Sequence, residues 1–470
     1  MAEAMTQPRP AAPDDRRLPV GDVPRGLAFA VDGGAMATRL ERALVEAAFP
    51  ARVLECVVER VKYAPGQRCS IGYRVVAATA HGERHALRLS ARLFETGAAR
   101  GRYERYRQDF VARPIFGPPL MLLEDREMVL WSFPNDRHLP ALPLLANLPW
   151  LAGTAAPEML QRALGGGYRI TACEPIIASY VHERRCCVRL LLHLDHIASG
   201  AKRQLIVFGK TSGAGSTART EAAATAFWEA EARRLGRFVT PRPLGTFPDP
   251  RIAWQEAAPG QSLDPFAAAE TTLRQVAASV AALHGATIPG LEASTQADDL
   301  ARLDERAACL VQGWPWLAAR LHAIRERLHR TAPAAPRIGC VHGDLHAGNI
   351  LVDEDRVSII DVDEATVGPV ARDLGRFAAY VLWDGLLRSA DEATTSRAFA
   401  AFLEGYATAA PLRLAEVAWH ASLRLVTEKI FRAVTLMQPL DGQVEHALEL
   451  AEALAAGRLS PLGYTRGRAA

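Results

Sequence analysis

The chain is short of almost everything that marks a specialised class. Its 470 residues hold seven cysteines, an odd number with no CxxC pair, so neither a disulfide framework nor a cysteine-built metal knuckle is expected. Reduced thiols in a cytoplasmic setting are the default reading. No apolar run approaches the ~20 residues of a membrane span, which leaves no membrane partner to expect. Charge of one sign is missing as well: 55 Lys and Arg face 52 Asp and Glu, a net +3. Arg is heavily favoured over Lys, but the basic residues are interspersed with acids, and no nucleic-acid footprint emerges. The opening MAEAMTQPRPAAPDDRRLPVGDVPRG lacks the apolar core of a signal peptide and reads as a disordered Pro-rich leader over residues 1–30. What is plentiful is apolar residue, 49% of the chain, enough for a large core and more than one domain.

The chemistry is concentrated in one stretch, Cys340 to Asp373, CVHGDLHAGNILVDEDRVSIIDVDEATVGPVARD. A loop from His342 to Asn349 precedes two short apolar runs, Ile350 to Val352 and Val357 to Ile360. The polar turn Asp353-Glu354-Asp355-Arg356 joins them, which is the pattern of a β-hairpin. Asp344 and Asn349 share the loop, and Asp361 directly follows the second strand. Two acids and an amide can therefore converge on one spot. Mg-dependent phosphoryl transfer needs these residue types: one carboxylate takes a hydroxyl proton, while an amide and a second carboxylate hold a hard cation. Asp363 reads either as a further metal or substrate contact or as a solvated turn acid.

Two other metal readings are weaker. His342 and His346 have the i, i+4 spacing of a zinc pair, but Gly343, Gly348 and the following strand argue against the helix that such a pair requires. DVDEATVG begins like a calcium loop, yet Thr366 stands where that loop requires Gly.

HGDLHAGNIL followed by IIDVDEATVGPVARDLGRF closely resembles the aminoglycoside phosphotransferase and choline kinase-like family, which shares the protein-kinase fold. The resemblance covers about Thr154 to Gly457. It implies that Asp344 is the catalytic base and that Asn349 and Asp361 are metal ligands. His342 becomes a brace of the loop, His346 a local structural residue, and Asp373 a helix N-cap that steadies the loop. ATP and Mg2+ are the cofactors it implies, with GTP left open, and the partner is a small-molecule hydroxyl acceptor.

Upstream, QLIVFGKTSGAGSTARTEAAATAFWEA admits three readings. As a Walker A loop it fails, because Gln204 stands where the first Gly is needed. As a dinucleotide fingerprint, Gly213 to Ala218 fits better, but the surrounding pattern is antiparallel rather than βαβ. The family resemblance supplies the third. Lys210, at a strand end, reaches the ATP phosphates, and Glu221 on the next helix holds it, with Glu229 as the alternative. The turn Val181-His182-Glu183-Arg184 covers the phosphates without a Gly-rich loop, and Gln255, Glu256 and Ala257 lie where a hinge holds adenine.

The same succession of segments occurs once more, earlier in the chain. LERAL from Leu40 matches PEMLQRAL from Pro157, Arg68-Cys69 matches Arg185-Cys186, and Trp131 aligns with Trp254. Arg92 stands about where Lys210 stands, with Glu104 available to it, but no second HGD loop follows. The first unit reads as a non-catalytic copy, either a cap on the nucleotide lobe or a docking surface for a protein partner. The expected architecture is α+β: a bilobal protein-kinase-like fold with an antiparallel-sheet N-lobe and a helical C-lobe, preceded by an extra N-lobe-like α+β unit. Its parts are a leader (1–30), a duplicated unit (31–150), a nucleotide-binding lobe (151–262) and a helical catalytic lobe (263–460). The expected activity is ATP- and Mg-dependent phosphorylation of a sugar, amino alcohol or aminoglycoside-like hydroxyl. The alternative is a kinase-like regulatory protein that binds a partner through residues 31–150.

Overall fold

Strand-forming segments in the first half alternate between inward and outward side chains, and the fold follows that rhythm. The computed structural model describes residues 16–463, apart from 22–23, 25, 65–67, 109–111, 214–215, 249–250 and 438–441. Strands β1 (Arg52–Ala64), β2 (Arg68–Ala78), β3 (Arg84–Leu93), β4 (Leu120–Leu123) and β5 (Met128–Ser132) form one antiparallel sheet in the order β1-β2-β3-β5-β4. Strands β6 (Tyr168–Val181), β7 (Arg185–His196), β8 (Lys202–Ser212), β9 (Pro243–Thr246) and β10 (Ala253–Glu256) form a second in the order β6-β7-β8-β10-β9. In β7 the residues from Cys186 to Leu194 are buried at every second position, the period-2 pattern of a half-buried strand. A helix precedes each sheet (Gly33–Glu46 and Ala156–Leu164), and another follows its third strand (Ala99–Tyr106 and Ser216–Glu229).

The register refines the alignment of the two sheets. Arg92 lies opposite Ser70 and Val129, and Lys210 lies opposite Cys187 and Ala253, so these two residues occupy the same sheet position. On that register Trp131 falls on Gln255, and Trp254 falls on Leu130. The expected match of the two tryptophans is therefore off by one residue. A one-residue slip exchanges the faces of a sheet, and the two rings do enter different apolar clusters. Glu104 pairs with Arg107 (3.0 Å) rather than with Arg92, whose guanidinium lies over the Phe94 ring.

The second half is helical: Glu270–His284, Gln296–Gly313, Ala318–Arg330, Ala371–Arg388, Glu392–Ala409, Leu414–Arg424 and Gln443–Ala455. After Arg424 the helix passes through a π-helical turn, Leu425–Ile430, before resuming at Phe431–Thr435. Short strands are set into this lobe. β11 (Gln261–Ser262) pairs with β13 (Ile350–Asp353), which forms a hairpin with β14 (Arg356–Ile359). β12 (Ile338–Val341) pairs with β15 (Thr366–Pro369). The stretch from Cys340 to Asp373 is thus strung between two small ladders. The result is the expected bilobal α+β arrangement with an additional sheet unit in front.

Residues 16–30 depart from the expected leader. Val20 N–H donates to Gly313 O (2.7 Å), Trp314 Nε1 donates to Arg17 O (3.0 Å), and Leu27 and Ala30 are fully buried. Apolar side chains at Leu18, Leu27 and Ala30 find a core to enter, which outweighs the Pro-rich composition around them. Residues 1–15 lie outside the described range. The first sheet unit is no separate module either, because its buried side chains and those of the helical lobe form one continuous apolar cluster. Tyr63 meets Trp314 edge-on across that boundary, with ring centroids 6.1 Å apart.

Candidate active site

The loop between β12 and β13 is held from beneath by Asp373. Its Oδ2 accepts from His342 N–H (2.6 Å) and from His284 Nε2 (3.2 Å), and its Oδ1 accepts from Gly343 N–H (3.0 Å). The helix begins at Ala371 with Val370 as its cap, so Asp373 is a first-turn residue and not the expected N-cap. Its bracing role stands. Gly343 adopts φ +82°, and a Cβ there would lie 2.0 Å from Glu364 O, so the loop can pass this close to the 361–364 segment only with glycine. His342 is buried and its Nε2 is 2.8 Å from Ile360 O, which ties the loop to the segment carrying Asp361. His346 accepts from Gly348 N–H (3.1 Å) and stacks on Tyr380 with centroids 4.5 Å apart. Both histidines are thus engaged within their own loop and its neighbours, and among the described residues no group of three or more His, Cys, Asp or Glu side chains suited to a metal occurs.

The Asp373 brace gives a testable pH dependence. Burial alone would raise this carboxyl, but the hydrogen bond and charge of His284, with His342, hold it down at about 2. A depressed folded-state value contributes stability above the unfolded value near 4, and that contribution is lost as pH falls toward 2. The shift corresponds to about 2 kcal/mol. Asn offers one acceptor where two backbone N–H groups need one each. Asp373→Asn should therefore destabilise the protein by about 2 kcal/mol or more at pH 7 and flatten the loss of stability between pH 4 and 2. Urea unfolding at several pH values reads both.

The structure brings Asp344, Asn349, Asp361 and Lys210 together. Asn349 Nδ2 donates to Asp344 O (2.9 Å), which leaves its side-chain oxygen free for a ligand. Asp361 sits in the left-handed region (φ +63°, ψ +51°), sparsely populated for a residue other than glycine and a common signature of a functional position. Lys210 Nζ lies 2.7 Å from Asp361 Oδ1 and 3.8 Å from Asp363 Oδ2, linking the second sheet to the catalytic segment across 151 residues. Burial pulls the Lys210 ammonium down, but Asp363 and Asp361 outweigh it and hold it above an ordinary lysine. The two acids diverge. Burial pushes both carboxyls up, but Lys210 and Arg185 hold Asp361 low, whereas Asp363, with Asp361 beside it, ends raised.

One expectation fails here, and a second is narrowed. Neither Glu221 nor Glu229 pairs with Lys210; both line a cleft against Thr287 and Pro289, and the lysine is satisfied by Asp361 and Asp363 instead. Nor can Gln255, Glu256 and Ala257 all present free backbone groups. Gln255 and Glu256 lie within β10, Glu256 N–H donates to Arg242 O (2.9 Å), and Ala257 N–H donates to Ile206 O (2.9 Å). The connection that follows, from Ala258 to Gly260, is where the backbone leaves the sheet.

Arg376, Glu428 and Asp136 were not singled out from the sequence, and Arg185 was noted only for its place in the repeat. Arg376 Nη1 donates to Asp344 Oδ1 (3.1 Å), and its Nη2 is bonded to Glu428, which also accepts from Arg424 (3.0 Å). Arg376 is nearly buried, so its fork fixes the Asp344 rotamer. Arg185, at the start of β7, stands 3.6 Å from Asp361 Oδ2, and Arg184 stands 3.5 Å from Glu364. The turn that carries them is held by the first unit. Asp136 Oδ2 accepts from Glu183 N–H (2.7 Å) and Tyr180 OH (2.8 Å). His182 packs so tightly on β2 that a Cβ at Gly72 would lie 2.5 Å from its Nδ1.

The site thus combines a basic sheet residue on paired acids with an acid and an amide on a braced loop, next to a helical lobe. Residues 214–419 match the model of the phosphotransferase enzyme family. Among curated relatives, it is 39% identical over 74 residues to a methylthioribose kinase of Geobacillus kaustophilus (16% of this chain, 18% of that one). It is 44% identical over 52 residues to a methylthioribose kinase of Bacillus velezensis (11% and 13%). The matches thus span less than a fifth of the length of these relatives. Among solved structures, a choline/ethanolamine kinase family protein from Mesorhizobium loti aligns over 66% of this chain and 98% of its own, at 16% identity and a TM-score of 0.40. Choline kinase LicA from Streptococcus pneumoniae aligns over 64% and 98%, at 15% identity and a TM-score of 0.42.

Proposed function

We propose that this protein is a kinase that uses ATP and Mg2+ to phosphorylate a hydroxyl of a small molecule. The observation that carries the reading is the 2.7 Å contact between Lys210 and Asp361, beside Asn349 and Asp344. Asp344 accepts the proton of the attacking hydroxyl through the carboxylate oxygen that Arg376 does not hold. Lys210 and Arg185 bind phosphate oxygens of the nucleotide. The donor set fits Mg2+: the free oxygen of Asn349 and the carboxylate of Asp361 are hard ligands, and nucleotide phosphates complete such a shell. When bound, Mg2+ neutralises charge on the transferring phosphoryl group. Adenine would meet the connection after β10, at Ala258 to Gly260, rather than the strand. The test is ADP release across a panel of hydroxylated small molecules, together with the thermal shift produced by ATP and Mg2+. Wild type should be stabilised and Asp361→Ala should not; a shift in neither form would count against the kinase and for a regulatory binding protein.

The contacts of residues 31–150 support a cap on the nucleotide lobe more than a surface for a protein partner. Asp136 reaches the phosphate-covering turn directly. Asp136→Ala should raise the KM for ATP by about tenfold with a smaller effect on kcat, the size expected for a lost charge-assisted bond. Steady-state kinetics at saturating acceptor measure it; a lowered Tm with KM unchanged would reduce Asp136 to a packing residue.

A further inference from the structure

The acceptor side of the site carries positive charge that phosphate transfer from a nucleotide does not use. Lys429, one of four lysines in the chain, lies in the π-helical turn Leu425–Ile430. Such turns are rare and recur at functional sites. Lys429 is only 9% exposed, yet among the described residues it has neither an ion-pair nor a hydrogen-bond partner, and its Nζ rests 2.8 Å from the centre of the Tyr380 ring. Tyr380 stacks on His346, and His346 Nε2 is 4.0 Å from Asp344 Oδ2. The ammonium therefore stands in the wall of the catalytic loop. Its neighbour Glu428 is already committed to Arg376 and Arg424.

Burial pushes this ammonium down to about 7 against the pull of Asp384 and Glu428, which act on it without closing an ion pair, and a buried ammonium with no carboxylate in contact is costly. More cations gather beside it. Arg432, just beyond the π turn, has no carboxylate partner among the described residues. Among the described residues, Arg306 has contacts with Thr427 O (3.2 Å) and the Phe431 ring (4.1 Å) and no ion pair, with Glu305 and Glu428 acting on it from further off. Arg60 comes from the first unit, at a β-bulge in β1 that re-aims its side chain. It too lacks a carboxylate partner among the described residues, and it faces Arg184, Arg432, Arg185 and Arg306. Like charges from three separate elements repel, and the arrangement is sustained at least cost when an anion joins them.

We propose that the acceptor is a hydroxylated small molecule bearing an anionic group, a phosphate ester or a carboxylate, which Lys429 and Arg432 hold while its hydroxyl meets Asp344. This rests on the kinase reading and adds the acceptor class to it. Lys210 and Arg185 serve the nucleotide at Asp361; Lys429 is joined to Asp344 through Tyr380 and His346. Cationic acceptors such as amino alcohols and aminoglycosides would meet repulsion there.

The test uses the full chain. Binding without nucleotide is measured by calorimetry for ribose 5-phosphate, glycerate, ribose, choline and kanamycin, and phosphotransfer to each is followed by ADP release. Anionic members should bind and be phosphorylated; comparing ribose 5-phosphate with glycerate separates phosphate from carboxylate. Lys429→Met should raise the KM for the anionic acceptor at least tenfold while the KM for ATP moves less than twofold, and Lys429→Arg should restore much of the loss. Binding of ribose, choline or kanamycin but of neither anion would overturn the proposal and leave the kinase standing. Failure of both anions to bind overturns it whatever the transfer assay gives. Lys429-dependent anion binding with no ADP formed from any acceptor would instead sink the kinase reading and retain the anion site.

Discussion

Asp344→Asn should lower kcat by about 10^2- to 10^4-fold, the range a positioned general base contributes, while the thermal shift with ATP and Mg2+ persists. The substitution keeps the shape of the side chain and its neighbours. Arg376 retains Glu428 as counter-ion, so no buried guanidinium is stranded. Asn349 bonds the backbone carbonyl of residue 344, not its side chain, so the metal-holding amide keeps its position. The carboxylate's charge and its capacity to accept a proton are lost together, while Glu428 keeps Arg376 neutralised. In a reaction carried mainly by positioning and charge, that loss should appear in kcat with the KM for ATP little changed. Single-turnover transfer and nucleotide binding on the same preparation separate the two. A variant that turns over within tenfold of wild type would remove Asp344 from the role of base.

The loop was legible in the sequence because its parts are local. Asp344, Asn349 and Asp361 fall within one loop and one hairpin, so spacing alone brings them near each other. Partners set by tertiary packing were not legible. The expected hold on Lys210 was a glutamate on the next helix, the nearest in sequence; the observed partners lie 151 residues on, where the hairpin returns to the sheet. Arg376 lies on the face of its helix that meets Asp344, but nothing in ARDLGRF separates such an arginine from one on a solvated face. The π turn at Lys429 is silent as well, because the residues from Val417 to Ile430 are almost all buried, and a segment buried on every side shows no stripe whose shift would reveal it. The repeat itself was readable from the succession of matching segments, yet its register was not: the two tryptophans misplace β5 against β10 by one residue, and only the ladder partners of Arg92 and Lys210 correct it. Composition misled at residues 16–30, where proline and charge obscured a few apolar side chains that dock on Trp314 and its neighbours.

Lys210→Ala should reduce kcat/KM by about 10^2- to 10^3-fold, as expected for removal of one preorganised charge at a transferring group, whereas Arg92→Ala should stay within about twofold of wild type. The two positions share one place in two sheets with the same strand order, which makes each the control for the other. What differs is what they face. Lys210 reaches the acids of the catalytic segment, and its loss leaves Asp361 and Asp363 close together with Arg185 as the remaining cation. Arg92 reaches a phenylalanine ring of its own unit, and no catalytic hairpin stands across from it. Lys210→Arg should recover little, because a planar fork cannot take the place of a compact ammonium 2.7 Å from one carboxylate oxygen. Equal losses at both positions would mean that the first sheet also handles nucleotide. A loss confined to Lys210 would leave residues 31–150 the part that Asp136, Gly72 and Arg60 suggest: a retained sheet that no longer binds phosphate itself but steadies the turn that does.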